Sequence, residues 1–193
     1  IVFYSECGQY RNLSWKELKS KTCIFANFLI NKGIKRGDRV AAVLPNFPET
    51  VIAFLATAKI GAIWSSCSAD FGPQAVIDRF NQILPKVLIV SDCYSYNNNV
   101  INTLPKVKKI KKAITSIETI VVIPFKETKL YREPEFIYES WISVMESFDE
   151  LLEEEVFKFN IPLYILYSSG TTGAPKCIVH GAGGSLLQHK KEH

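Results

Sequence analysis

Four hydroxyl side chains, two glycines and a lysine fall within nine residues of this chain: Ser168, Ser169, Gly170, Thr171, Thr172, Gly173 and Lys176. Residue types in this pattern suit a polyphosphate, most simply that of a nucleotide. Gly170 and Gly173 let the backbone take angles closed to other residues and bring its N–H groups close to an anion. The hydroxyls add donors, and Lys176 adds a fixed positive charge. The spacing is not that of a Walker A loop, because Pro175 stands where the second glycine of that pattern belongs. An ordinary Ser/Gly surface loop is the plainer alternative. The stretch departs from one by joining two apolar runs, residues 161–167 and 177–180, and by ending in Pro-Lys.

Other clusters carry weaker signals. Lys106, Lys108, Lys109, Lys111 and Lys112 form the most basic patch. They lie opposite an apolar stripe and lack interleaved aromatics, so a solvated helix face is expected rather than a nucleic-acid surface. Asp149, Glu150, Glu153, Glu154 and Glu155 read as a solvated acidic face or loop rather than a general acid–base pair. His189-Lys190-Lys191-Glu192-His193 matches a His-x-x-Glu-His zinc pattern, but no third ligand is in evidence, and zinc is not expected. His180 either contacts substrate or fills a structural position. Asp70-Phe71-Gly72 follows an apolar strand, where ligand loops often sit, and a turn with Asp70 capping a helix is the simpler expectation. For Arg79 the default is a surface ion pair.

The elements that must position the loop alternate in type. A strand is expected over 2–4. Ser14-Trp15-Lys16-Glu17 fits a capping box, followed by Leu18, Thr22, Phe25, Phe28 and Leu29 on one helical face and Gly33 at its end. Residues 39–44 read as a strand buried on both faces. A helix capped by Asn46, with Pro48 in its first turn, carries a stripe of Val51, Ile52, Leu55 and Ala58. Strands over 62–66, 87–91 and 117–123 alternate with helices over 73–83 and 104–114, the second with Val107, Ile110 and Ile114 inward and its lysines outward. Residues 141–152 fit a further helix with Trp141, Val144, Phe148 and Leu151 or Leu152 as its stripe. The run 161–167 enters the loop, 177–180 leaves it as a strand, and Gly183-Gly184 opens a last helix. Four strand–helix alternations point to an α/β fold with a mostly parallel β-sheet flanked by helices.

The 193 residues suffice for one domain, or a domain and a piece of another, with a buried core. With 47% hydrophobic and 22% charged residues the composition is that of a globular protein, and a net charge of +4 is too small to imply nucleic acid. Five scattered cysteines without a Cys-x-x-Cys point to reduced thiols and a cytosolic setting rather than a disulfide framework. No membrane span is expected: the longest apolar stretch, 51–64, contains Lys59 and is too short. The chain opens on Ile1 and closes in an unfinished helical pattern, so a fragment of a longer protein is expected.

Ser168-Ser169-Gly170-Thr171-Thr172-Gly173-x-Pro175-Lys176 resembles the signature of the adenylate-forming enzymes, which include acyl-CoA synthetases, luciferases and peptide-synthetase adenylation domains. Two flanks, Gly61-Ala62-Ile63-Trp64-Ser65-Ser66-Cys67-Ser68-Ala69-Asp70-Phe71-Gly72 and Cys177-Ile178-Val179-His180-Gly181-Ala182-Gly183-Gly184-Ser185-Leu186-Leu187-Gln188-His189, are similar to the acetoacetyl-CoA synthetases within that family. The resemblance is weakest over 126–160. It implies that residues 1–193 are part of the large N-terminal AMP-binding domain, with the small C-terminal domain absent. It implies ATP, acetoacetate and CoA as small-molecule substrates and Mg²⁺ as the metal. Lys176 and Thr172 would then be catalytic, Thr172 near Mg²⁺, and Ser168, Ser169, Gly170, Thr171 and Gly173 would hold the nucleotide's phosphates. Another short-chain acyl-CoA synthetase, for acetate or propionate, and a non-catalytic partial product are the alternatives. The family's later Tyr-Gly-x-Thr-Glu motif, its ribose-binding aspartate, its hinge and its terminal lysine do not occur in this sequence. No turnover by this chain alone is therefore expected. The strand over 161–167 is also expected to lack neighbours and to expose apolar surface.

Overall fold

The computed structural model describes residues 1–126, 130–168, 173 and 175–192. In chain order its elements are β1 (Val2–Tyr4), β2 (Tyr10–Asn12), α1 (Trp15–Asn31), β3 (Arg39–Leu44), α2 (Pro48–Lys59), β4 (Ile63–Ser68), α3 (Pro73–Phe80) and β5 (Val87–Ser91). They continue with β6 (Cys93–Tyr96), β7 (Asn99–Asn102), α4 (Leu104–Ala113), β8 (Thr119–Ile123), β9 (Glu139–Ser140), α5 (Trp141–Ser147), β10 (Pro162–Ser168), β11 (Lys176–Gly181) and α6 (Ala182–Glu192).

Strand β3 explains the layering. Its sequence, Arg-Val-Ala-Ala-Val-Leu, has no polar residue after the first, and residues 40–43 are almost fully excluded from solvent. Side chains alternate across a strand, so both faces need cover. Val40 and Ala42 join a core with Phe25, Phe28 and Leu29 of α1 and Ile52, Ala53 and Ala56 of α2. Ala41 and Val43 join a second core with Val76 and Phe80 of α3 and Val107 and Ile110 of α4. Each large apolar side chain buried this way is worth about 1.5–3 kcal/mol. Among the described residues the main sheet has the order β11-β10-β4-β3-β5-β8-β9, and only β11 runs antiparallel to its neighbour. The expected α/β class with a mostly parallel sheet is what the chain forms.

Local chemistry sets the ends of α1 as the sequence implies. Ser14 Oγ accepts from the Glu17 amide at 3.2 Å, and the Glu17 carboxylate accepts from the Ser14 amide at 2.8 Å. Gly33 closes the helix at φ +76°. Elsewhere tertiary packing redraws the expected boundaries. Phe47, not Asn46, is the N-cap of α2, with no side-chain bond, because Phe47 is itself buried in the core. The most buried stripe of α2 is Ile52, Ala53, Ala56 and Thr57, while Val51, Leu55 and Ala58 flank it, since α1 packs on that small-residue face. Helix α3 stops at Phe80, and the chain turns through Leu84 at φ +49° before Pro85. Helix α5 stops at Ser147. Asn27 of α1 donates to the carbonyls of Asp149 and Leu151 at 2.8 and 3.0 Å and holds the following segment off the helix axis. Leu151 is exposed, and Leu152 is the one that packs on the core.

The expected strand over 2–4 forms as β1, but its antiparallel partner β2, the β6–β7 pair and the short β9 were not among the expected strands. The β6–β7 hairpin turns through Asn97 and Asn98, both at positive φ, a conformation asparagine tolerates better than most residues. The strand over 161–167 does not lack neighbours: β10 pairs with β4 on one side and β11 on the other. Exposed apolar surface belongs instead to this end of the sheet as a whole, at Leu166, Ile178 and Val179.

Two glycines in α6 separate packing from propensity. A Cβ on Gly183 would lie 2.3–2.5 Å from ring carbons of Phe159, whereas one on Gly184 would meet nothing within 4 Å. Gly183→Ala is expected to destabilise the chain by about 1–3 kcal/mol through overpacking, and Gly184→Ala to be neutral or stabilising by up to about 1 kcal/mol. Urea midpoints of the two variants check this. A pH effect follows from Asp38. Its burial works to raise the carboxyl's pKa. The Lys86 ammonium at 2.9 Å, the Lys35 amide at 2.9 Å and the charge of Arg39 outweigh that and hold it below the usual aspartate value. A lowered folded pKa means the stabilisation is complete above the unfolded value and disappears as pH falls through the folded one. The melting-temperature gap between wild type and Asp38→Asn should therefore be constant near neutrality and close in acid below the ordinary aspartate range. A gap that widens there would contradict it.

Candidate functional site

Because β10 runs parallel to β4, it delivers its carboxyl end to the same rim of the sheet as the other parallel strands, the rim where open α/β sheets bind ligands. The hydroxyl- and glycine-rich stretch begins there. Ser168 ends β10 and Lys176 starts β11, and the two are directly paired across the ladder. The loop thus has a fixed base. Ser169, Gly170, Thr171 and Thr172 lie outside the described residues. Gly173 is described and exposed, with φ +106°, in the left-handed range that glycine alone enters without strain. Lys176 presents an exposed side chain at the head of β11.

The entering arm is anchored from below. The Tyr167 and Ser65 hydroxyls are hydrogen-bonded at 3.2 Å, and Ser65 Oγ donates to the Ile165 carbonyl at 2.9 Å. Tyr167 packs against Phe80, with ring centroids 6.5 Å apart, and the Arg79 guanidinium lies over its ring at 5.8 Å. Burial raises the pKa of the Tyr167 phenol, so it stays neutral and serves as an anchor, not an acid–base group. Arg79 is also stacked on Phe71 at 4.9 Å and donates to the Ala75 carbonyl at 2.7 Å. The expected surface ion pair is thus replaced by packing against two aromatic faces, which suits a planar guanidinium.

The turn before α3 is braced by a residue the sequence placed outward. Lys106 Nζ donates to the carbonyls of Ala69 and Phe71 and sits 5.7 Å from the Tyr94 ring, and its partial burial lowers its pKa. Lys111 likewise turns back to the Ile117 carbonyl, so the lysines of α4 are not a uniform solvated face. Both heads reach nearby carbonyls that the helical spacing could not reveal. The N-cap of α3 is Gly72 with no side-chain bond, which corrects the expectation that Asp70 caps it.

At the same rim, Asp92 is a buried carboxylate that the sequence did not single out. It accepts from the amides of Cys93 at 2.7 Å, Phe125 at 2.8 Å and Tyr131, and so closes the connection after β8 over the end of β5. Nothing in Ser-Asp-Cys signals that role, because its three partners converge only after the parallel strands pair.

The remaining candidates separate from the loop. His180 stands four residues along β11 from Lys176, about 13 Å at ~3.3 Å per residue, and its ring packs 4.9 Å from Tyr164. Its ring is thus set along the strand from Lys176 and against Tyr164 of β10. Glu192 accepts from Gln188 at 2.7 Å, and His193 lies outside the described residues. The acidic segment is tied to α1, with Ser20 donating to Glu150 at 2.5 Å and Lys19 lying 4.0 Å from Glu154. Among the described residues no group of three or more His, Cys, Asp or Glu converges as a metal site. Thr172, the one residue expected near Mg²⁺, lies outside them. No described helix is long and apolar enough to cross a membrane.

Comparison with known proteins agrees with this architecture. Residues 1–191 match the family described as AMP-binding enzyme. The chain is 44% identical over its whole length to an acetoacetyl-coenzyme A synthetase of Rhizobium meliloti, and 43% identical over 94% of its length to one of Danio rerio. It spans 30% and 28% of the lengths of those relatives. In three dimensions it is similar to acetoacetyl-CoA synthetase from Streptomyces lividans, with a TM-score of 0.91 and 35% identity over 99% of this chain and 29% of that one.

The thiols near this rim provide a check on the packing. Burial pushes Cys67 up to about 11 and, with the Asp92 carboxylate beside it, Cys93 up to about 12. Only the thiolate reacts readily. Titration with a disulfide reagent at pH 8 should therefore modify exposed Cys7 first and half-buried Cys177 more slowly. Cys23, Cys67 and Cys93 should wait for denaturant. Fast native labelling of Cys67 or Cys93 would contradict the packing.

Proposed function

We propose, from the premise that this chain belongs to the AMP-binding enzyme family, that it supplies the pyrophosphate-holding loop of an acid–thiol ligase that activates acetoacetate. In the first step a carboxylate oxygen attacks the α-phosphorus of ATP in line. The bond to the bridging oxygen breaks, giving acetoacetyl-adenylate and pyrophosphate. In the second, the thiol of CoA attacks the acyl carbon and AMP departs. Negative charge gathers on the leaving pyrophosphate during the first step. Donors already aimed at it lower the barrier, and removing one such donor typically costs 10²–10³ in rate as an order of magnitude. In this reading Lys176, Thr171 and Thr172 contribute side chains and Gly170 and Gly173 contribute amides, with Ser168 and Ser169 at the entering arm.

The observation that carries the reading is the position of the loop's base. A parallel strand brings Ser168 to the ligand-binding rim, and the ladder sets Lys176 directly opposite it. A cationic side chain and a hydroxyl then flank a stretch of serine, threonine, glycine, alanine and proline. The two relatives and the solved structure support acetoacetate as the acid. Acetyl- and propionyl-CoA synthetases use the same loop signature, so the acid is the finer part of the proposal.

Calorimetric titration tests the loop. The chain should bind ATP and pyrophosphate, and Lys176→Ala should weaken both by roughly tenfold to hundredfold, the worth of about 1.5–3 kcal/mol for a hydrogen bond to a charged group. Equal affinities for wild type and variant would sink the loop assignment. AMP release from ATP with acetoacetate should stay at background for this chain, because the adenosine and terminal-lysine motifs do not occur in its sequence. Clear turnover would overturn that expectation.

A further inference from the structure

Gln82 lies just past α3, far from the loop in sequence, yet its carboxamide is engaged on three sides. Nε2 donates to the Asp78 carbonyl at 2.7 Å and to the Pro175 carbonyl at 2.8 Å. Oε1 faces Cys177 Sγ at 3.5 Å, within reach of a thiol donor. Both amide hydrogens are therefore spent, one on its own helical turn and one on the departing arm of the loop. The two points it holds on that arm, Pro175 and Cys177, are the immediate neighbours of Lys176.

We infer that Gln82 is a positioning residue for Lys176: its carboxamide sets the direction in which that ammonium leaves the strand. The Pro175 carbonyl belongs to the peptide unit that joins Pro175 to Lys176. Peptide units are planar, so a hydrogen bond that orients this carbonyl also orients the Lys176 Cα and, with it, the Cα–Cβ bond. Proline already restricts φ at 175, which leaves ψ as the freedom the bond removes. The thiol contact at Cys177 fixes the far side of the same residue. A lysine side chain has several rotatable bonds and loses much entropy when localised. A preset stem reduces what anion binding must still order.

Helix α3 is suited to the task because its other face is packed into the core. Val76 and Phe80 are fully buried, and Arg79 packs on Tyr167 of the entering arm. The short helix and the turn that ends it thus touch both arms of the loop, the entering arm through packing of Arg79 and Phe80 and the departing arm through the Gln82 carboxamide. The expected role is selective. Gln82 does not contact phosphate but acts through Lys176, so its effect on anion affinity should vanish when Lys176 is gone.

The inference rests on the pyrophosphate-loop reading, and the experiment separates the two. Pyrophosphate binding is measured by calorimetry for wild type, Gln82→Ala, Gln82→Glu, Lys176→Ala and the double variant Gln82→Ala/Lys176→Ala, with far-UV circular dichroism to verify folding. Gln82→Glu keeps the length and the acceptor but cannot donate to Pro175, so it tests the bond even if the alanine variant folds poorly. Each Gln82 variant should bind roughly two- to tenfold more weakly than wild type, as for loss of one neutral hydrogen bond. In the Lys176→Ala background the alanine change should have no further effect. Hydrogen exchange of residues 175–181 without ligand should be faster in both Gln82 variants. Wild-type affinity in Gln82→Ala and Gln82→Glu, unchanged exchange, or an equal loss in both backgrounds overturns this proposal alone. A wild-type chain that does not bind pyrophosphate overturns the loop reading and this proposal with it.

Discussion

Strand β3 must be covered on both faces, and the rest of the chain is arranged to cover it. Val40 and Ala42 face one way and Ala41 and Val43 the other, and none offers a side chain that water could satisfy. A two-faced apolar strand is stable only inside a three-layer structure. The chain meets that need by sending α1 and α2 to one side and α3 and α4 to the other. Parallel pairing follows, because each helical crossover returns the chain to the same starting edge. All the parallel strands then end at one rim, where their exposed carboxyl-end connections are free to carry chemistry.

The hydroxyl- and glycine-rich stretch takes its position from that consequence. It lies between β10, which still obeys the parallel rule, and β11, which breaks it. Antiparallel pairing keeps both ends of the stretch at the rim, with Ser168 opposite Lys176. The base does not stand by pairing alone. Ser65 and Tyr167 tie β10 to β4, Arg79 and Phe80 pack on Tyr167, and Gln82 reaches the departing arm. The helix that covers one face of β3 is thereby also the support of the loop, so core packing and site geometry share the same few residues.

Local signals were legible where the causes are local. Ser14 and Glu17 specify a capping box within a single turn of chain, and the bonds form as read. Pro48 and Pro73 open α2 and α3 because a missing N–H costs nothing in a first turn. Residues that act at a distance were not legible. Gln82, Asp92 and Lys106 each look like ordinary polar residues in sequence, and each makes its defining bonds to residues tens of positions away. The Asn97-Asn98 turn was not read either: asparagine tolerates positive φ, but the flanking Tyr-Ser-Tyr and Val-Ile runs are too short to announce two strands.

By itself, the order of residues determined the α/β class, the start of the first helix and the identity of the loop whose composition suits phosphate. These depend on periodicity and on neighbours within a turn or two, which the chain carries in its covalent order. Which strand lies beside which, which face of α2 is buried, where α3 and α5 stop, and which side chains brace the loop were decided only by tertiary structure. Those choices come from competition among surfaces for burial and among donors for distant carbonyls, and that competition has no outcome until the sheet is assembled.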